Sequence, residues 1–209
     1  MRDRTAFTTV FILFALVSCV RAGSEDSTNW YPLAVGNSWL FETESFTVAD
    51  NDSLFYTGSR LCEITDLLTR ESGFPVYVQR TIISVAPAGS GAEESYADTT
   101  VEYLQQTNTE LRCYSSPALR VYDVWISFGM MNKEIAMLRE SSAPMGIRVE
   151  PSVTVPAGSF SDCTVIVYPA GDGSGIYDMY YHLGTGPVKT VYSTASFHST
   201  ESLLNFDVQ

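Results

Sequence analysis

The residues most able to do chemistry sit near the C-terminal end. Asp178 and His182 are four positions apart in a run of alternating apolar and polar residues, with Tyr180 between them on the same face. A histidine beside a carboxylate can relay a proton or hold a metal. No nucleophile pairs with them, and the same spacing is that of a solvated strand face. The second histidine, His198, falls roughly 30 Å from His182 if the chain turns between them as an extended hairpin. The two imidazoles then share neither a metal nor a relay.

Other candidate constellations are incomplete. Gly171-Asp172-Gly173-Ser174-Gly175 is glycine-rich, but lacks the lysine and following helix of a phosphate cradle, and reads as a loop. Asp50 and Asp52 suggest a calcium loop, yet Leu54 stands where a third oxygen ligand is needed. Asn51-Asp52-Ser53 fits the N-glycosylation pattern, which is idle in a bacterial setting. The serine-hydrolase elbow, G-x-S-x-G, does not occur. Carboxylates are many, but a glycosidase pair is defined by separation in space. The expectation is a protein that is not an enzyme, with no catalytic residue, metal or cofactor; Asp178 and His182 are the remaining site candidates.

Composition narrows the partners. The formal net charge is −12, and Lys133 and Lys189 are the only lysines. Such a surface repels phosphate backbones, so nucleic acid is not expected as a partner. It also disfavours direct contact with anionic lipid heads. Any membrane association would run through a lipid anchor.

The first residues supply a candidate anchor. Arg2 and Arg4 precede an apolar run from Ala6 to Val17, the length of a signal-peptide core and too short to span a bilayer. Two processing routes remain open. Val20-Arg21-Ala22 fits cleavage after Ala22, giving a signal segment 1–22. Leu16-Val17-Ser18-Cys19 resembles the bacterial lipobox, which implies a signal segment 1–18 and lipidation of Cys19. Residues 23–29 are polar and suit a tether; residues 30–209 form one β domain. The location is then periplasm, outer-membrane lipoprotein or extracellular.

Export permits a disulfide, and Cys62, Cys113 and Cys163 remain after either cut. Three is odd, so at most one internal bridge forms, with its pairing open. Cys163 alternates with Val165 and Val167, the pattern of a buried thiol on a core face.

The elements that would position all of these are strands. Trp39 and Phe41 alternate with Glu42 and Glu44, one dry face against one wet. Further strand candidates run from Leu54 to Ile64, Pro75 to Val85, Thr99 to Gln106, Glu110 to Tyr114 and Leu119 to Phe128. In the last of these Tyr122, Val124, Ile126 and Phe128 share a face. After Pro144 they continue over Gly146–Val155, Ser161–Tyr168, Ile176–Leu183, Val188–Phe197 and Leu203–Val208. One short helix is expected at Asn132–Glu140, capped by Asn132. About ten strands with turn signals between them predict a mainly β fold, a single antiparallel curved sheet, half-barrel or barrel-like.

Three phrases in order carry a resemblance. They are Tyr31-Pro32-Leu33 with Gly36-Asn37-Ser38-Trp39; Val155-Pro156-Ala157-Gly158-Ser159-Phe160; and Tyr180-Tyr181 with Gly184-Thr185-Gly186-Pro187-Val188-Lys189. Together the chain resembles a loose group of uncharacterised exported bacterial proteins with Y-P-L-x-x-G-x-x-W, V-P-A-G-x-F and Y-Y-A-x-G-x-G-x-V-K anchors. That group is similar in kind to the half-barrels of the periplasmic lipoprotein-carrier superfamily. His182 and Pro187 depart from the group's pattern. The resemblance implies a concave apolar face for a lipid or lipid-like ligand, and it assigns no catalytic residue.

The anchors also have a physical reading. Pro156 limits pairing and Gly158 tolerates positive φ, so the segment turns tightly and returns Phe160 to the core. Trp39 fills a core but needs a partner for its indole N–H. Gly184 and Gly186 serve the last turn. The functional expectation is a non-catalytic cell-envelope module that binds or carries an apolar ligand. The alternative is a structural or interaction component whose partner is an envelope protein.

Overall fold

The computed structural model describes residues 29–49, 52–69, 75–88, 95–116, 118, 122–127, 146–169 and 175–209. Cys19 and both candidate cleavage sites, Asp50 and Asn51, the Asn132–Glu140 helix and Gly171–Ser174 lie outside the described residues.

Among the described residues eleven strands form: β1 (Ser38–Ala49), β2 (Asp52–Leu68), β3 (Val76–Pro87), β4 (Tyr96–Gln106), β5 (Glu110–Tyr114), β6 (Asp123–Ser127), β7 (Gly146–Val155), β8 (Gly158–Pro169), β9 (Ile176–His182), β10 (Gly186–Ser193) and β11 (Phe197–Asp207). All belong to one antiparallel sheet in the order β6-β5-β4-β3-β2-β1-β11-β10-β9-β8-β7. Each half is a meander, and the first and last strands pair at the centre, from Ser38↔Asp207 to Thr47↔Phe197. The sheet curves without closing, since β6 and β7 are its two edges. Pro151 sits in edge strand β7, where the missing N–H costs the ladder least and blunts pairing with another chain. No helix occurs among the described residues.

Alternation decides which side chains turn inward. In β1 the inward row is Trp39, Phe41, Thr43 and Ser45, all buried, while Glu44 is exposed. Ile64 and Cys62 on β2, Leu104 on β4, Tyr181 on β9 and Leu203 on β11 pack with them into the same core. On this face burial falls from one end of β3 and β4 to the other. On β3, Gln79 and Thr81 are buried and Ile83 is half-buried; on β4, Leu104 is buried and Thr100 is exposed. The curved sheet is therefore filled at one end and open at the other.

The filled end is built by the anchor motifs. Trp30 and Tyr31 are buried, and the Asn29 carbonyl accepts the Gly184 N–H at 2.8 Å. The buried Asn37 side chain donates to the Pro32 carbonyl and accepts the Gln209 N–H, both at 3.0 Å. Pro156 and Ala157 make a two-residue turn between β7 and β8, with Val155 facing Gly158 at φ +141°. The Ala157 N–H donates to the Leu203 carbonyl at 2.9 Å, which folds this hairpin back over β11.

Three strand expectations need correction. Val188–Phe197 is not continuous: Thr194 turns the chain, its hydroxyl accepting the Ser196 and Phe197 N–H groups at 3.3 and 3.0 Å. A threonine that bonds forward to the backbone makes this turn without glycine or proline. Tyr122, Val124 and Ile126 do not keep one common environment. Register slips between Leu111/Arg112, so that Arg112 faces Val124 while Leu111 faces Ile126. Trp125 is the extra residue of that bulge, and Ile126 is buried while Val124 is exposed. Finally, β3 continues through Ala86 and Pro87, paired with Thr57 and Tyr56.

Candidate binding cavity

The open end holds a cavity of about 560 Å³, within the range of small-molecule sites. Its lining divides by strand. Trp125 on β6, Tyr168 on β8 and Tyr177 and Tyr181 on β9 make an aromatic wall that also holds Met179, and Tyr31 lines the same cavity. Arg60 on β2, Gln79 and Thr81 on β3, Glu102 on β4 and Thr190 on β10 contribute polar groups. The aromatic wall is held together by its own contacts. Tyr168 donates its hydroxyl to the Trp125 carbonyl at 3.3 Å, and the Tyr31 ring packs edge-on to Trp125 at 6.2 Å.

The polar side is a connected network. Arg60 donates to Glu201 through Nε at 3.0 Å and Nη2 at 2.6 Å, a bidentate pair. Its remaining nitrogen approaches the Cys62 sulfur at 3.4 Å, and the guanidinium lies 4.5 Å from the centre of the Phe41 ring. Burial works to lower the Arg60 pKa, but the Cys62 sulfur and the Glu201 carboxylate more than offset it, so the guanidinium is charged. Tyr31 donates to Gln79 Oε1 at 2.5 Å, and Gln79 Nε2 donates to Glu102 Oε2 at 3.1 Å. The phenol thus fixes which way the amide points. Burial pushes the Glu102 carboxyl above its usual value, partly offset by the Gln79 hydrogen bond and by Arg60.

The residues singled out from sequence lie elsewhere. Asp178 and His182 are on β9, but they are not brought together. Asp178 Oδ2 accepts from Arg148 at 2.8 Å. Asp178 Oδ1 is buried with no partner among the described residues. His182 Nδ1 is 2.8 Å from the Thr185 hydroxyl, and its ring packs on Phe160 at 5.3 Å. His182 and His198 sit at opposite ends of β10, paired with Gly186 and Ser193 respectively. The Trp39 indole donates to the Thr185 carbonyl at 2.6 Å. Gly158, Gly184 and Gly186 all take positive φ, Phe160 is buried, and Pro156 occupies the turn that returns it to the core.

Cys62, Cys113 and Cys163 are buried, unbonded thiols. Burial pushes Cys113 up to about 12 and Cys163 up to about 11. Among the described residues, no group of three or more histidine, cysteine or acidic side chains is placed to hold a metal.

The sequence reading missed Arg60, Gln79, Glu102 and Glu201. A signal was present in the parity of the strands: Arg60 precedes Cys62 and Ile64, Glu102 precedes Leu104, and Glu201 precedes Leu203 at intervals of two. Each therefore points with a core residue.

No family model matches the chain, and no curated protein matches it. Among solved structures, the chain is similar to a Bacteroides fragilis protein described as a "putative exported protein with YmcC-like fold", at 13 % identity and TM-score 0.44, over 85 % of this chain and 98 % of that one. It is similar to a "putative lipoprotein" of Parabacteroides distasonis at 14 % identity and TM-score 0.41, over 86 % of this chain and 99 % of that one. A "beta-barrel-like protein of domain of unknown function DUF1849" from Brucella abortus aligns at 10 % identity and TM-score 0.32, over 86 % and 100 %.

Proposed function

We propose that the chain is an exported, non-catalytic module of the cell envelope that takes an apolar or lipid-like small molecule into the open end of its curved sheet. The observation that carries this reading is the cavity of about 560 Å³ with an aromatic wall of Trp125, Tyr168, Tyr177 and Tyr181. A small apolar pocket with a few fixed polar groups is the usual form of a ligand site. The export half of the reading rests on Arg2, Arg4, the Ala6–Val17 run and the two processing routes after it.

The test is intact mass and native lipid extraction on protein purified from a bacterial envelope. A mass shift matching a triacylated Cys19, with an apolar compound co-purifying, is expected of an anchored carrier. A start at Gly23 with a compound bound keeps the binding role without the anchor. An empty protein that binds no apolar probe removes the binding role.

A second reading, an interaction component, draws on the β1–β2 hairpin. Phe46, Val48 and Phe55 are exposed there on one face, with the Phe46 and Phe55 rings 6.0 Å apart across the hairpin, and exposed apolar surface of this kind marks contact sites. Crosslinking of the envelope through that hairpin, with an empty cavity, would favour it.

A further inference from the structure

We infer that the cavity selects an organic cation, an apolar body carrying an amine or quaternary ammonium head, over a fatty-acid-like anion. This rests on the cavity being a binding site, as proposed above, and adds the chemistry of its occupant.

Among the described lining residues, Arg60 is the one cationic side chain and Glu102 the one carboxylate. Arg60 is already engaged. Two of its nitrogens donate to Glu201, the third lies at the Cys62 sulfur, and one face covers the Phe41 ring. An anionic head would have to compete with a bidentate carboxylate, the strongest common partner of a guanidinium.

Glu102 is in the opposite position. Its Oε2 accepts one hydrogen bond, from Gln79, and among the described residues its Oε1 accepts none. The Gln79 amide cannot be withdrawn cheaply, because the buried Tyr31 hydroxyl holds its oxygen. The carboxylate is partly removed from water with one neutral donor, and a cation in the cavity supplies what it lacks. Among the described residues, the polar network thus leaves an acceptor facing the ligand and no free donor of positive charge.

The aromatic wall points the same way. Tyr31, Tyr168, Tyr177, Tyr181 and Trp125 line the space, and aromatic faces attract ammonium groups through the ring quadrupole. Burial raises the pKa of each of these four phenols, so they present neutral rings. The formal net charge of −12 adds a long-range field that concentrates cations near the mouth.

The test compares three ligands with one apolar body: decyltrimethylammonium, decanol and decanoate. Each is titrated below its micellar concentration into the mature protein at mildly alkaline pH and moderate salt, by calorimetry. Three proteins are used: the wild type, Glu102→Gln, and Glu44→Gln as an exposed charge control away from the cavity. The ammonium ligand is expected to bind about tenfold or more tightly than decanoate, the scale of one charge-assisted contact. That preference is lost in Glu102→Gln and kept in Glu44→Gln. Equal affinity for all three ligands, tighter binding of decanoate, or a preference that survives Glu102→Gln overturns the inference while leaving a binding cavity. Binding of none of the three overturns the cavity reading and the inference with it.

Discussion

The indole N–H of Trp39 donates to the backbone carbonyl of Thr185 at 2.6 Å, and the next residue, Gly186, lies close against the indole. A Cβ on Gly186 would sit 3.1 Å from Trp39 Nε1 and 3.3 Å from Cε2. The residue also holds φ +95°, which L side chains rarely adopt. Gly184, two positions earlier, holds φ +79° with nothing within 4 Å of an added Cβ. The pair therefore separates two costs of one substitution. Gly184→Ala is expected to lose about 1 kcal/mol, from backbone conformation alone. Gly186→Ala adds crowding against a fully buried ring and is expected to lose about 2–4 kcal/mol. Urea unfolding of both variants checks the order; equal losses would mean that the Trp39 contact contributes nothing.

The Arg60–Glu201 pair crosses from β2 to β11 at the level where the core ends and the cavity begins. Its side chains are 22 % and 21 % exposed, between a surface pair worth about 0–1 kcal/mol and a fully buried one that costs about 3–5 kcal/mol to break. Arg60→Met is expected to fall between those limits, at about 2 kcal/mol, because it leaves the half-buried Glu201 carboxylate without its guanidinium. Arg60→Met combined with Glu201→Leu should recover part of that loss. A double variant less stable than the sum of its single variants would show that the network is held by something other than this pair.

Much of the filled end was legible from local chemistry. Pro156 with Gly158 announces a two-residue turn, and Gly184 and Gly186 announce the other; the dry row beginning at Trp39 and Phe41 follows from alternation. The cavity was not legible, for a physical reason. Period two tells which residues share a face, but a charge on that face reads as solvent-facing. Arg60, Glu102 and Glu201 become interior only because the sheet curves far enough to bring β2–β4 toward β8–β10, a long-range property. The bulge at Trp125 and the Thr194 turn were missed for a different reason. A one-residue insertion carries no compositional mark, and Thr194 turns the chain through a side-chain hydrogen bond inside a run with good strand propensity.

The buried thiols make stability sensitive to alkali. Cys113 and Cys163 are pushed up to about 12 and about 11 from the ordinary 9.0, both chiefly by burial. Burial likewise pushes Tyr168 up to about 12. In each case the native state keeps a proton that the unfolded chain has released. The unfolded state then binds fewer protons, so stability falls as pH rises. The contribution is fully present below the unfolded values and is lost as pH climbs through 9.0 towards about 12. Urea midpoints at neutral pH and at successive alkaline values should decline over that window. The same burial predicts that a thiol-specific disulfide reagent labels none of the three at neutral pH until the protein unfolds. Rapid labelling of native Cys113 would contradict the burial on which both expectations stand.

Asp178 and His182 share a strand and a face, yet each is spoken for by a different neighbour. Arg148 on β7 holds the Asp178 carboxylate at 2.8 Å, with its guanidinium 5.8 Å from the Tyr180 ring centre. His182 is turned to Thr185 and Phe160, within the turn that also receives the Trp39 indole. Residues that act as one unit show coupled losses on mutation, whereas independent residues add. Asp178→Asn is expected to weaken the Arg148 contact by about 1 kcal/mol or less, since that pair is partly solvated. His182→Ala is expected to cost about 1 kcal/mol through lost packing on Phe160 and the lost Thr185 hydrogen bond. The double variant should then equal the sum within about 0.5 kcal/mol. Neither change should alter the binding of decyltrimethylammonium, because neither side chain lines the cavity. A coupling energy above about 1 kcal/mol, or a ligand affinity that moves with Asp178→Asn, would place these two residues back in a common site.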